Sequence, residues 1–293
     1  MDWSAHRAHW PHSDWSRFVD AGGIHWHVQQ VGRHGPRLLL LHGTGASSHT
    51  WRDSLLPLAE HAQVLALDLP GHGFSSLGHG DAMSLPGMAR CIGALLQTLQ
   101  WPVDVFIGHS AGAAIAAQMV LDQGLQPQLL MGINPAWLPL PGLAGLLFPP
   151  AAKLLALTPL VPQWFAKQAS SQGMIDKLLE GTGSVLDARG RALYAQLVAS
   201  PSHAQGALNM MAAWDLSPGA DKLRRLNCPV RMLVGENDKT VPPAQADQAM
   251  GLLRHATLAR WPGLGHLLHE EQPARFIEEV LTAIQGMAPA SSD

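Results

Sequence analysis

Short apolar runs that each end at a sharp turn dominate the first half of the chain: RLLLLHG (37–43), VLALDLPGHG (64–73), VDVFIGHS (103–110) and QLLMGIN (128–134). Runs this apolar suit strands buried on both faces, the environment of a parallel sheet. Helical spacing falls between them, at Trp51, Leu55 and Leu58, over 84–100 and over 110–122. Strands alternating with helices require right-handed crossovers. The expected fold is therefore α/β, with a mostly parallel sheet covered by helices on both faces. IHWHVQQVG (24–32) alternates apolar and polar residues instead, as a half-buried strand does.

The alternation stops between 136 and 215, where only helical segments and loops can be read, among them Trp137, Trp164, Met210, Met211 and Trp214. It resumes with PVRMLVGEND (229–238), a helix near 243–253, ATLARWPG (256–263) and a last helix with Phe276, Val280 and Ile284 on one face. The expected organisation is one core in two parts, 1–135 and 216–293, interrupted by a helical cap or lid over 136–215. The apolar underside of such a lid would line a substrate pocket, besides forming a small core of its own. Within it, 138–165 carries a single charge, Lys153. Pro139, Pro141, Pro149, Pro150, Pro159 and Pro162 interrupt the segment, so it reads as short kinked helices rather than a membrane span. Membrane contact is expected to be peripheral at most.

Apolar residues make up 47% of the 293 and charged ones 14%, ample for a large core. The net charge is −3 with no basic run, which argues against a nucleic-acid partner. Cys91 and Cys228 lie in apolar segments without metal-type spacing and read as buried thiols of a cytoplasmic protein. MDWSAHRAHWPHSDWSRF lacks the apolar stretch of a secretory signal.

Gly108-His109-Ser110-Ala111-Gly112 fits the Gly-x-Ser-x-Gly elbow, and it falls where a strand passes into a helix. There Ser110 would be the nucleophile, and Gly108 and Gly112 would spare the turn from steric clash. A serine hydroxyl needs a base. His266, in PGLGHLLHEEQP, lies on a loop that could reach back over the sheet, with His269 as competitor. The base needs an orienting acid. Asp238 in LVGENDKTVP is the first choice and Glu236 the alternative. The order Ser110, Asp238, His266 suits an α/β-hydrolase. An oxyanion would be held by the N–H groups of Ala111 and of Thr44, in HGTG. Asp68 in DLPGHGFS reads as a supporting turn, and His109 as a residue facing away from the nucleophile. His266 and His269 have no completing ligands beyond the adjacent Glu270 and Glu271, so no metal is expected, and the chemistry calls for no cofactor.

Over nearly its whole length the sequence resembles the α/β-hydrolase superfamily. The segments WPHSDWSRFVDAGGIHWHVQ, LLLLHGTGASSHTWRD, SLPGMA, GHSAGAAIA, TGSVLD, MMAAWDL and PGLGHLLHEEQP make it similar to the hydrolase-like family of bacteriochlorophyll biosynthesis, the magnesium chelatase accessory proteins. That resemblance implies the α/β-hydrolase fold and a role in tetrapyrrole metabolism of a phototrophic bacterium. It carries the roles above onto Ser110, Asp238, His266, Thr44 and Ala111. It also implies location in the cytoplasm or at the periphery of the photosynthetic membrane. Two readings stay open: a serine hydrolase acting on a bulky apolar ester or acyl compound such as a tetrapyrrole, or a non-catalytic protein that binds a tetrapyrrole or assists magnesium chelatase with an unused triad.

Overall fold

The computed structural model describes residues 1–139, 172–285 and 287. Its strands are β1 (Ser16–Ala21), β2 (Ile24–Val31), β3 (Arg37–Leu41), β4 (Gln63–Leu67), β5 (Val105–His109), β6 (Leu129–Ile133), β7 (Val230–Gly235) and β8 (Ala256–Trp261). They form one 8-stranded sheet in the order β1-β2-β4-β3-β5-β6-β7-β8. β1 pairs antiparallel with β2, and β2 with β4; every other pairing is parallel. The expected α/β architecture is observed.

The helices, in order, are α1 (Trp3–His6), α2 (Leu55–Ala59), α3 (Leu85–Thr98), α4 (Ala111–Asp122), α5 (Gln172–Glu180), α6 (Ala188–Val198), α7 (Pro201–Ala213), α8 (Gly219–Arg225), α9 (Ala244–Met250), α10 (Leu268–Glu271) and α11 (Pro273–Gln285). Strand period sorts the core into two layers. Leu38, Leu40, Val64 and Ala66 pack on Trp51 and on Phe276, Val280 and Ile284 of α11. Leu39, Leu41, Leu65 and Leu67 face the opposite way, onto Met88 and Ile92 of α3 and Ile115 of α4. Side-chain caps mark where helices begin: Ser84 Oγ accepts from Gly87 N at the start of α3, and Asp187 Oδ1 accepts from Gly190 N at the start of α6.

Local differences from the sequence reading have physical causes. β1 was not anticipated as a strand. It forms a hairpin with β2 through Gly22 and Gly23, whose φ values of +59° and +77° suit a two-residue turn. The helix read through Trp51 and Leu58 is a 3-10 turn, Ser48–Trp51, followed by the short α2. The last helix is preceded by the separate turn α10, because Gln272 leaves the helical region just before Pro273. Between β6 and β7 the described residues form helices and loops and no strand. Beyond Pro139, the expected kinked helices of 138–165, with Trp164, lie outside the described residues. Among the described residues no helix is long and apolar enough to cross a membrane.

Because the pairings from β4 to β8 are parallel, the carboxyl ends of these strands share one edge of the sheet. That edge is where open α/β sheets carry ligand sites. The loops bearing Thr44, Ser110, Asp238 and His266 leave the strands there.

Candidate active site

β5 passes directly into α4 at Ser110, held at φ +52° and ψ −116°, a conformation serine rarely adopts. A Cβ on Gly108 would lie 2.4 Å from Ala113 N, and one on Gly112 would lie 2.1 Å from Leu41 O. Both positions therefore need glycine if α4 is to fold back on its own strand and pass close to the end of β3. Ser110 N donates to Ile133 O (2.9 Å), and Ser110 O accepts from Ala136 N (3.1 Å), which ties the elbow to β6 and the loop after it. Ala111 opens the helix, so its N–H has no intrahelical acceptor.

The loop after β3 is pinned by two histidines that the sequence reading gave no role. His42 Nε2 accepts from Leu69 N (2.9 Å), which leaves Nδ1–H to donate to Gly43 O (2.7 Å). His203, on α7, accepts at Nδ1 from Gly73 N (2.9 Å) and donates from Nε2 to Gly45 O (3.1 Å). Burial pushes both below the ordinary histidine value, His203 to about 4. Both are thus neutral, and each holds one carbonyl beside Thr44. Asp68 serves the same neighbourhood. His27 Nδ1–H (2.8 Å), Ser48 N (2.7 Å) and Phe74 N (2.9 Å) donate to its carboxylate. Burial works to raise that carboxyl, but the His27 pair and these bonds hold it below the usual carboxylate range.

On the other side, His266 Nδ1–H donates to Asp238 Oδ2 (2.7 Å), both residues being buried. Asp238 Oδ1 accepts from Thr240 N (2.7 Å) and Val241 N (2.9 Å), so its carboxylate is oriented by its own turn. With Nδ1 protonated, Nε2 of His266 carries the free lone pair. Glu236, the alternative acid, is exposed. His269, the alternative base, is buried and bonded through Nε2 to Thr50 Oγ1 (2.8 Å). His109 lines the same cavity as Ser110 and His266. Its ring lies tilted against that of His266, centroids 4.6 Å apart, and Nε2–H donates to His266 O (2.9 Å).

A strap between α5 and α6 lies against the loops of both Asp238 and His266. Thr182 O accepts from both His266 N (3.0 Å) and Lys239 N (3.3 Å), and Ser184 Oγ accepts from Leu267 N (2.8 Å). A Cβ on Gly265 would lie 2.3 Å from Gly183 C, so the strap threads tightly between the two loops. Beneath the cavity, Glu270 accepts from Thr50 Oγ1 (2.5 Å), Tyr194 OH (2.7 Å) and the Arg52 guanidinium. Burial pushes its carboxyl up despite Arg52. This set fastens α6 and α10 to the 3-10 turn.

Ser110, Ala111, Thr44 and His266 line one cavity of about 870 Å³, together with Leu179, Leu208, Met211 and Trp214 from the helices between β6 and β7 and the segment that follows them. That volume is near the upper end for small-molecule sites. No lysine or arginine is among its described lining residues, and Asp215 supplies the one carboxylate. Ser110 Oγ makes no side-chain hydrogen bond among the described residues. Among the described residues no group of three or more His, Cys, Asp or Glu is placed to hold a metal ion.

A sequence model of the alpha/beta hydrolase family matches residues 38–279. The magnesium-chelatase 30 kDa subunit of Rhodobacter capsulatus is 40% identical over 271 residues, covering 92% of this chain and 94% of that one. The pimeloyl-acyl-carrier-protein methyl ester esterase of Nitrosospira multiformis is 26% identical over 275 residues, 89% of this chain and 98% of that one. Among solved structures, a putative lipase from Acinetobacter baumannii matches with a TM-score of 0.78 at 19% identity, over 98% of each chain. An esterase from Thermogutta terrifontis matches at 0.72 and 21% identity, over 92% of this chain and 98% of that one. At these identities the structural likeness speaks for the fold alone.

Proposed function

The chain belongs to the alpha/beta hydrolase family, and on that premise we propose that it is a serine hydrolase acting on a bulky apolar ester or acyl compound. The observation that carries the reading is the convergence on one cavity of a strained Ser110 and a His266 whose Nδ1–H is engaged by buried Asp238. Ser110 Oγ attacks the carbonyl carbon while His266 Nε2 takes its proton. Thr44 N–H and Ala111 N–H hold the oxyanion. The imidazolium then gives the proton to the leaving alcohol, and an acyl-enzyme remains. Water, activated by the same nitrogen, releases the acid and restores Ser110. Asp238 stays ionised and stabilises the imidazolium. No cofactor takes part.

The absence of a cation from the described lining favours an uncharged moiety in the cavity, since a buried carboxylate would find no partner. Residues 136–215 act as the cap of a core made of 1–135 and 216–293. The likeness to a magnesium-chelatase subunit supports a tetrapyrrole ester or acyl intermediate of bacteriochlorophyll synthesis as substrate, and magnesium chelatase as partner. It equally motivates a second reading, a tetrapyrrole-binding or chelatase-assisting protein whose triad is unused.

Labelling by an alkyl fluorophosphonate separates the two. Wild type is expected to label, and Ser110→Ala to give no adduct. Equal labelling of both, or labelling of neither, would leave only the binding reading.

A further inference from the structure

β6 lies in the sheet between the strand that leads to Ser110 and the strand that leads to Asp238. It supplies none of the three reacting side chains, yet it is followed directly by a polar residue, Asn134, that is 1% exposed. Asn134 has a φ of +42°, in the left-handed region that asparagine tolerates better than most residues. Its backbone N–H is already used, donating to Leu233 O (2.8 Å).

The carboxamide faces both neighbouring loops. Oδ1 accepts from Gly235 N (2.8 Å), at the end of β7 and three residues before Asp238. Nδ2 donates to Gly265 O (3.1 Å) and to His266 O (2.8 Å). Both amide hydrogens are thus spent on the loop of the base, and the amide oxygen on the loop of the acid. The carbonyl of His266 receives a second donor, His109 Nε2, from the end of β5. A carboxylate of the same shape could accept from Gly235 but could not donate, so the bridge requires an amide.

We propose that Asn134 is a positioning residue for the acid–base pair. Its carboxamide fixes the separation of the Asp238 and His266 loops, and thereby the Nδ1–Oδ2 contact and the aim of Nε2 at Ser110. The inference rests on the hydrolase reading above. A residue that merely satisfied the end of β6 would affect stability and leave the behaviour of His266 unchanged.

The test is the second-order rate of fluorophosphonate labelling of the full chain against pH, with thermal unfolding measured in parallel. Two variants are needed. Asn134→Asp keeps the shape, removes both donations and adds a negative charge beside His266. That imidazole is otherwise faced by Asp238, His109 and His269. A second carboxylate favours the imidazolium, so the rising limb of the profile is expected about one unit higher in pH. Asn134→Gly accommodates the φ and removes the carboxamide without adding charge. Its labelling is expected to fall about 100-fold, the cost of slight misplacement of a catalytic group, with the limb close to its wild-type position. Folded variants that label at the wild-type rate with the wild-type limb would overturn the inference while leaving the hydrolase reading intact. A wild type that does not label would overturn that reading and this inference with it.

Discussion

Ser110 is held mainly by its own neighbours in the sequence, whereas Asp238 and His266 are held together by partners far along the chain. Gly108 and Gly112 flank the serine within two residues, and each allows an approach that a single methyl group would forbid. The acid–base side depends instead on hydrogen bonds that span 101 residues from Asn134 to Gly235, 132 from Asn134 to His266 and 157 from His109 to His266. Close packing is intolerant and cooperative: an added atom displaces backbone on both sides. Hydrogen bonds at strand ends are directional and individually modest in net stability. One side of the site should therefore fail by unfolding and the other by losing aim.

The largest expected effect lies on the hydrogen-bonded side. Asp238→Asn keeps an oxygen for Thr240 N and Val241 N but loses the charge that selects the His266 tautomer. Fluorophosphonate labelling should fall about 10⁴-fold, with stability lowered by only about 1 kcal/mol in urea unfolding. A rate loss under tenfold would take Asp238 out of the proposed reaction. On the packed side, Gly112→Ala places a methyl 2.1 Å from Leu41 O. It should cost about 3 kcal/mol or more, read as an earlier urea midpoint. Unchanged stability there would mean that α4 shifts freely against β3, and the contrast between the two sides would collapse.

The same contrast governs what could be read from the sequence. Elbow glycines are local, so GHSAG identifies its own geometry, and uninterrupted runs such as RLLLL register a strand buried on both faces. The hairpin of β1 and β2 is marked in the sequence only by Gly22-Gly23, since SRFVDA alternates weakly. Asn134 carried only the faint signal of a polar residue ending an apolar strand. His203 and the Thr182–Ser184 strap carried none, because a hydrogen bond 158 residues long, from His203 to Gly45 O, leaves no periodicity or spacing behind. Chain order suggested that Asp238 and His266 could meet. Which acid of the two in GEND would face the imidazole depended on the turn that buries Asp238 and exposes Glu236.

His203 sharpens the comparison because it is a long-range hydrogen bond on the otherwise packed side. It joins α7 to the Thr44 loop, and on the same helix a Cβ on Gly206 would lie 2.0 Å from Gly71 O, in the loop after β4. Its folded-state value is about 4, lowered mainly by burial, against 6.5 in the unfolded chain. Between those limits the unfolded chain binds more protons, so stability is fully present above about pH 6.5 and drains away as pH falls toward 4. The shift corresponds to up to about 3 kcal/mol at the acid end. His49, His72, His109 and His269 are lowered in the same direction by burial and add to the slope. His203→Gln offers an amide that can donate to Gly45 O and accept from Gly73 N without titrating. The variant should match wild type in urea unfolding at pH 8 and lose less stability between pH 6.5 and the onset of acid unfolding. If the two pH dependences superimpose, His203 does not take up a proton on unfolding in this range, and its bonds to the Thr44 loop contribute nothing to the acid lability of the fold.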